Sequence, residues 1–272
     1  LTAEHVQQAL RGKQYRTGRI SESFLEDIQE GQILIDSSGL AVGKVNGLTV
    51  LEIGDTAFGT PARISATVFA GSSGVVDIER EVELGKAIHS KGVLLLTGYL
   101  GAKYAQQFPL TLSANIAMEQ SYGHIDGDSA SLAEVCALIS AITHVPIRQS
   151  LAVTGSINQH GQVQAIGGVN EKIEGFFRLC KSRGLTGEQG VIIPASNQVN
   201  LVLNEEVIDA VQQQQFHIYV VKDVDEALVL LTGMDVGQKN RRGQYPKKSL
   251  HGLAVTRLME IADIVNGGQD DE

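Results

Sequence analysis

The chain has 272 residues, of which 43% are hydrophobic and 19% charged, as in folded globular proteins with a sizeable core. Its 31 acidic residues exceed its 22 lysines and arginines, so the formal net charge is −9, which disfavours nucleic acid and anionic lipid as partners. No apolar run reaches the roughly 18–20 residues that a membrane span needs, and we expect neither a membrane partner nor a nucleic-acid partner.

The two cysteines, Cys136 and Cys180, both lie in apolar surroundings. Two are too few for a disulfide framework or for a cysteine-rich zinc site, and we interpret them as reduced core residues of a cytoplasmic protein. The first residue is Leu1, and the opening stretch has no basic region followed by an apolar one, so it does not resemble a signal peptide. We expect that the chain was cut from a longer protein.

The N-terminal half of the chain predicts helices first and strands after them. Residues 1–10 and 21–30 are polar and helix-prone, and each has one weakly apolar face. From residue 32 onwards, short β-branched runs separated by glycine predict strands at 33–35, 40–42, 48–53 and 62–69. Residues 82–104 predict a long helix, and the alternation over 110–118 predicts a strand with one buried face.

The C-terminal half alternates between the two kinds of element. Helices are predicted at 129–143, 170–183, 199–214 and 224–231. Strands are predicted at 151–154, 162–166, 191–194 and 217–221, the second of them in a hairpin. Such alternation is typical of an α/β or α+β domain with partly parallel strand pairing. A basic linker at 237–250, one more helix and an acidic end at 269–272 complete the chain.

Nucleotide-binding loops are absent from the sequence. A P-loop requires Gly-Lys followed by Ser or Thr, but Gly12-Lys13, Gly43-Lys44 and Gly85-Lys86 are followed by Gln, Val and Ala. The glycines at 161–168 do not match a dinucleotide loop either. We therefore predict no ATP site in this chain.

The segment Asp126-Gly-Asp-Ser-Ala-Ser131 has two interpretations. It fails as a calcium loop, because Ser131 stands where Gly is needed and Ala137 stands where a bidentate Glu is needed. An ordinary helix cap would explain its Asp and Ser residues. Alternatively, the turn places Ser129 at the first turn of a helix, where free N–H groups can hold an oxyanion beside the hydroxyl. A nucleophilic serine needs a base, and His124 is the only histidine nearby.

Lys172 is the other candidate base. It lies at the start of a helix that Asn170 is predicted to cap, between the apolar residues Val169 and Ile173. The helix N-terminus and the apolar neighbours would both lower the lysine pKa towards the neutral amine that a base must be. An unremarkable surface lysine is the common alternative. Spacing alone does not bring Ser129 and Lys172 together.

Together, the segments 126–131 and 167–172 resemble the two signatures of the Lon protease domain. The family's lysine follows its serine by 43 residues, as Lys172 follows Ser129 here. Two further segments fall where the family has a Thr-Gly-(Glu/Ser) strand end and a strand ending in Ile-Pro: Thr154-Gly155-Ser156 and Val191-Ile-Ile-Pro194. The similarity covers residues 35–233. Asp128 and Ser131, in place of Pro and Gly, resemble the pattern of the B-type branch, and the run at 129–140 resembles that of bacterial Lon-related ATP-dependent proteases.

Three features depart from the family pattern. Glu134 stands on the predicted nucleophile helix, where most Lon proteins carry an aliphatic residue. The histidines that A-type members carry before the serine are absent, and Asn115 and Ala117 occupy that stretch. No AAA+ ATPase is present, and we interpret residues 1–34 as the end of an upstream AAA+ module, 35–235 as the proteolytic domain and 236–272 as linker, helix and acidic tail.

The resemblance implies the Lon protease fold and a serine endopeptidase with a Ser-Lys dyad. Ser129 would be the nucleophile and Lys172 its base, while the N–H groups of Asp128 and Ser129 would stabilise the oxyanion. Thr154 would orient the lysine. Asp126, if paired with Lys172, would hold it charged and define an inactive arrangement.

The resemblance also implies partners. Unfolded polypeptides would be the substrates, copies of the chain would form a hexameric ring, and an upstream ATPase would supply energy. The chain itself would need no cofactor and no metal, whereas the full-length protein would use ATP and Mg²⁺. A non-catalytic ring-forming docking module with the same fold is the alternative, because a fold alone does not establish a function.

Overall fold

The computed structural model describes residues 1–54 and 56–267, except for the side chain of Gln14. The strands among these residues are β1 (Leu40–Ala41), β2 (Lys44–Ile53), β3 (Thr56–Phe69), β4 (Gly74–Asp77), β5 (Ser113–Met118), β6 (Ile147–Arg148), β7 (Leu151–Val153), β8 (Ser156–Ile157), β9 (Val163–Gln164), β10 (Gly190–Pro194) and β11 (His217–Val221). The α-helices are α1 (Ala3–Thr17), α2 (Arg19–Gln29), α3 (Ile78–Glu81), α4 (Ala87–Tyr104), α5 (Ser131–Thr143), α6 (Val169–Arg183), α7 (Glu205–Gln212), α8 (Val224–Thr232) and α9 (Leu250–Gly267).

A seven-stranded mixed sheet with the strand order β11-β10-β7-β2-β3-β5-β4 forms the centre of the fold. Strands β2, β3 and β5 pair antiparallel, whereas β7, β10 and β11 run parallel to one another and to β2. Two small sheets, β1-β6 and β8-β9, lie outside it. The fold class predicted from the sequence, α/β with partly parallel pairing, is confirmed.

Helices cover both faces of this sheet because its strands alternate in the direction of their side chains. In β10, Ile192 belongs to the core that surrounds α5, whereas Val191 and Ile193 belong to the core that surrounds α6. All residues of α5 from Ser131 to Ile142 are buried, so α5 is the central helix of the larger core. The N-terminal ends of α5 and α6 therefore approach the same end of β7 from opposite faces.

Several predicted elements differ from the structure. Residues 33–35 form no strand; the carbonyl of Ile35 accepts a hydrogen bond from Arg183 of α6 instead of a strand partner. The helix predicted at 82–104 begins at Ala87, after Glu83 has adopted a left-handed φ of 60°. In place of one helix at 199–214, the structure has a short 3₁₀ helix at Ala195–Asn200 and, after a break, the helix α7.

The ends of the chain agree broadly with the prediction. Helices α1 and α2 occupy the predicted helical segment, and α2 packs on the domain through Ile28, while Arg178 of α6 donates to Ser21. Helix α9 follows the basic linker, whereas the acidic end at 269–272 lies outside the described residues. Among the described helices, none combines the length and apolar character required to cross a membrane.

Candidate active site

Ser129 lies in the turn between β5 and α5, two residues before the helix begins, and not in its first turn as predicted. Gly127 has a φ of 92°, a conformation that favours glycine and allows the chain to reverse here. The carbonyl of Ser129 accepts hydrogen bonds from the Gly155 N–H at 2.9 Å and from the Thr154 hydroxyl at 3.3 Å. The carbonyl of Ser129 is thus anchored to the segment that follows β7.

The start of α5 is held by the same segment. Ser131 donates its hydroxyl to the Asp128 carbonyl at 2.8 Å and accepts the N–H of Ile157 at 3.0 Å. The Leu132 N–H donates to the Gly155 carbonyl at 3.1 Å. These bonds hold residues 128–132 against residues 154–157. They thereby fix the backbone from which the Ser129 side chain extends.

Lys172 extends from the first turn of α6, and the residue is only 3% exposed. Its Nζ donates to Ser129 Oγ at 2.9 Å and to Thr154 Oγ1 at 3.2 Å. The structure therefore brings together the three side chains predicted for the dyad and its support, although they come from three separate segments.

Two glycines allow α6 to lie directly on β3. A Cβ on Gly59 would lie 1.9 Å from the Glu171 carbonyl oxygen, and a Cβ on Gly175 would lie 2.2 Å from the Gly59 carbonyl oxygen. Any larger residue at either position would push the helix away from the strand. The prediction that Asn170 caps α6 is wrong: the capping residue is Gly168, and the Asn170 side chain bonds to the backbone of residues 200 and 202.

Burial lowers the pKa of Lys172 to about 8, and this effect outweighs the opposing attraction of Asp128 and Glu171. At pH 7 about a tenth of the lysine is then the neutral amine. Among the described residues, Lys172 forms no ion pair with a carboxylate; its hydrogen-bond partners are hydroxyl groups. The predicted direction of the pKa shift agrees with the structure, with burial as its main cause.

The two aspartates of the loop have different surroundings. Asp126 is exposed and accepts a hydrogen bond from the Gly127 N–H at 2.9 Å, so the arrangement with Asp126 paired to Lys172 is not the one that the structure describes. Asp128 accepts a hydrogen bond from the Ser156 hydroxyl at 2.8 Å and is the aspartate that acts on the lysine pKa. The contact between the Asp128 and Ser156 side chains was not predicted, because the two residues lie in separate segments of the chain.

The backbone N–H groups of Asp128 and Ser129 donate to no acceptor within the described part of the chain. An oxyanion site requires free N–H donors of this kind close to the attacking hydroxyl. His124, the alternative base, is exposed and makes no hydrogen bond to Ser129 among the described residues. The arrangement contains a serine hydroxyl, an amine with a lowered pKa and two free N–H donors, and these are groups that can support acyl transfer.

Comparison with known proteins gives consistent matches. The family of Lon protease (S16) C-terminal proteolytic domains matches residues 1–233. A Lon protease homolog of Escherichia coli is 44% identical over 235 residues, which are 86% of this chain and 40% of that protein. A Lon protease homolog of Haemophilus influenzae is 42% identical over 265 residues, 97% of this chain and 44% of that protein.

A more distant relative is the archaeal Lon protease of Methanocaldococcus jannaschii, 29% identical over 249 residues, which are 86% of this chain and 34% of that protein. The chain thus spans less than half the length of these curated relatives. The family match nevertheless covers most of the chain and includes every residue of the site just described. The chain belongs to the family of Lon protease C-terminal proteolytic domains.

Proposed function

We propose that this domain is a serine endopeptidase in which Ser129 is the nucleophile and Lys172 the general base. The observation that carries the proposal is the 2.9 Å contact between Lys172 Nζ and Ser129 Oγ, made by a lysine without a carboxylate partner among the described residues. A neutral amine at this distance can take the hydroxyl proton as the oxygen attacks a carbonyl carbon.

The reaction proceeds through an acyl-enzyme. Ser129 Oγ attacks the scissile carbonyl, Lys172 takes the proton, and the oxyanion lies against the N–H groups of Asp128 and Ser129. The lysine ammonium then returns the proton to the leaving amine. A water molecule, deprotonated by the same lysine, then attacks the ester carbonyl. Ser129 Oγ leaves and takes that proton back from Lys172, which releases the second product and restores the free enzyme.

Thr154 acts as a positioning residue. Its hydroxyl accepts a hydrogen bond from Lys172 Nζ and donates to the Ser129 carbonyl, so it joins the base to the nucleophile's backbone. Because Thr154 is fully buried and its N–H donates to the Ile192 carbonyl at 3.0 Å, its own position is fixed by the sheet. The amine is thereby held towards Ser129.

The substrates that we propose are unfolded polypeptides, bound as an added strand beside the site. Folded substrates would require an ATPase with ATP and Mg²⁺, acting upstream of this domain in a hexameric ring of cytoplasmic protein. The names of the archaeal relatives, which are called Lon proteases, support this broader proposal. The free, buried Cys136 and Cys180 are compatible with a reducing compartment.

Labelling with a serine-reactive fluorophosphonate tests the proposed site. We expect the probe on Ser129, and we expect Ser129→Ala and Lys172→Ala to prevent labelling, whereas Ser38→Ala and Lys91→Ala, at exposed positions, should leave it unchanged. Absence of label from the folded wild-type chain, or a label on another residue, would contradict the proposal and favour the docking module.

A further inference from the structure

A second group of ionisable side chains is buried beside residues 126–130, the loop that carries Ser129 and is here called the nucleophile loop. Asp77 ends β4, Glu79 lies in α3 and His89 lies in α4, and one ligating atom from each lies within 4.8 Å of the others. Glu134 of α5, the family departure noted above, places a carboxylate oxygen 3.9 Å from His89 Nε2. These four residues, here called the acid–histidine cluster, are each no more than 5% exposed.

Three polar atoms in the acid–histidine cluster lack hydrogen-bond partners, although His89 and Asp77 approach each other as an ion pair. Both carboxylate oxygens of Asp77 and the Nε2 atom of His89 are buried and make no hydrogen bond. The shortest approach between them is 3.4 Å. Because proteins almost always satisfy buried polar atoms, a cluster with three unsatisfied atoms indicates a missing partner.

The domain's other buried histidine provides the contrast. His251 Nδ1 lies 2.8 Å from the Tyr104 hydroxyl, and its Nε2 lies 3.1 Å from Asp225 Oδ1. Both ring nitrogens are thus satisfied by protein atoms. The lack of a hydrogen-bond partner at His89 Nε2 is therefore specific to the acid–histidine cluster and is not shared by His251.

The chemistry of the acid–histidine cluster suits a metal ion. Ligands about 2.1 Å from a tetrahedral zinc ion lie about 3.4 Å apart, which is the separation of His89 Nε2 and Asp77 Oδ2. Glu79 is oriented by the Met118 N–H, which donates to its Oε1 at 2.8 Å, as metal-binding carboxylates commonly are. Asp77, Glu79 and His89 supply oxygen and nitrogen ligands of the kinds that zinc accepts.

We propose that Asp77, Glu79 and His89 bind a Zn²⁺ ion, while Glu134 lies beside the site with its carboxylate 3.9 Å from His89 Nε2. The role of the ion is structural, since in the described part of the chain none of the four side chains hydrogen-bonds to Ser129 or Lys172. The ion joins β4, α3 and α4, and His89 of α4 lies 3.9 Å from Glu134 of α5, the helix that follows Ser129.

The acid–histidine cluster is also connected to the nucleophile loop through backbone. The Ile125 N–H donates to the Leu84 carbonyl, and the Lys86 N–H donates to the Ile125 carbonyl, both at 2.9 Å. Gly92 of α4 lies against Asp128, since a Cβ at Gly92 would be 3.2 Å from the Asp128 Cβ. An ion that fixes α3 and α4 therefore also fixes the backbone on which Ser129 depends.

The test measures Zn²⁺ binding and thermal unfolding on chelator-treated, dialysed protein. We expect one equivalent of Zn²⁺ per chain and a rise of about 5 °C in Tm when free Zn²⁺ is about 100 times its dissociation constant. Asp77→Asn and His89→Gln should lose both effects. His124→Gln, at an exposed histidine, is the control for surface binding and should keep both.

A second measurement covers the case in which those variants do not fold. Co²⁺ substituted into the wild-type chain should give the visible absorption of a tetrahedral site with nitrogen and oxygen ligands. Failure of the wild-type chain to bind Zn²⁺ stoichiometrically, an octahedral Co²⁺ spectrum, or full binding by folded Asp77→Asn and His89→Gln would overturn the proposal. None of these readouts needs peptidase activity, so they do not depend on the Ser129–Lys172 proposal.

Discussion

Lys103 and Lys172 are both largely withdrawn from solvent, but their partners differ. Lys103 of α4 donates to both oxygens of Asp225, at 2.7 and 2.8 Å, and the same carboxylate lies 3.1 Å from His251 Nε2. Lys172 donates only to the hydroxyls of Ser129 and Thr154 among the described residues. One lysine is thus neutralised by a carboxylate, whereas the other is buried without one.

The pKa values around the two lysines follow from this difference. Burial alone would raise the pKa of Asp225, but the contacts with His251 and Lys103 outweigh it and lower the pKa to about 2. At Lys172, burial dominates and lowers the lysine pKa to about 8. A carboxylate partner makes a lysine a structural cation, whereas hydroxyl partners leave it able to lose its proton near neutral pH.

The largest expected effect is the loss of peptidase activity when either member of the dyad is removed. Ser129→Ala and Lys172→Ala should each lower the cleavage of unfolded casein by at least about 10³-fold, because the nucleophile and its base act as one unit. Lys91→Ala, at an exposed lysine, serves as the matched control. Near wild-type cleavage by folded Ser129→Ala protein would refute the assignment.

Replacing Lys172 should lower activity but raise the stability of the fold. Below pH 8 the buried Lys172 is charged and destabilises the fold by up to about 3 kcal/mol, the equivalent of lowering its pKa from 10.5 to about 8. Lys172→Met should therefore raise the free energy of unfolding at pH 7 by about 2–3 kcal/mol.

The pH dependence separates this effect from better packing. Between pH 8 and 10.5 the unfolded lysine binds more protons than the folded one, so the wild-type free energy of unfolding rises with pH in this window. The advantage of Lys172→Met should shrink across the same window. Urea unfolding at pH 7 and pH 10 measures it, and a constant difference would argue against a buried charged lysine.

A smaller effect is expected at the positioning residue. Thr154→Val keeps the shape of the side chain but removes the hydroxyl that bonds Lys172, and we expect kcat to fall about 10–100-fold with little change in KM. Thr143→Val, which removes a hydroxyl bonded within α5, is the comparison variant. A change in KM with an unaltered kcat would show that Thr154 contacts substrate and does not position the base.

The smallest effect should come from a change at Asp225, the carboxylate partner of Lys103. Asp225→Asn removes the charge between Lys103 and His251, and we expect the free energy of unfolding to fall by about 1–2 kcal/mol, since the carboxylate is partly exposed to solvent. The cleavage rate of the folded variant should stay within about twofold of wild type, because this network does not touch the site. A loss of activity without a loss of stability would contradict the contrast between the two lysines.

The sequence predicted more of the fold than of the contacts within the site. The buried strand at 191–194 and the central helix before Thr143 follow from local apolar runs, and both are confirmed. The contact between Ser129 and Lys172 joins two turns on opposite faces of the sheet, so no local pattern could supply it. The resemblance of the two motifs indicated the pair, and the structure gives its distance.

Other features depend on backbone that the sequence does not reveal. The prediction of Asn170 as a helix cap used residue preference, but Gly168 takes the capping position in a left-handed conformation with a φ of 67°. The acid–histidine cluster was not predicted, because Asp77 and His89 lie in different elements and Glu134 comes from a third. Side chains with such separations become neighbours only through the packing of α3, α4 and α5.

The pH dependence of fluorophosphonate labelling at Ser129 tests the central claim most directly, since it needs no peptide substrate and reports on the nucleophile and base together. The rate should rise about tenfold from pH 6 to pH 7 and level off above a midpoint of about 8, the pKa of Lys172. The Asp225→Asn variant should give the same midpoint. A labelling rate independent of pH, or a midpoint near the ordinary lysine pKa of 10.5, would contradict a neutral Lys172 as the base.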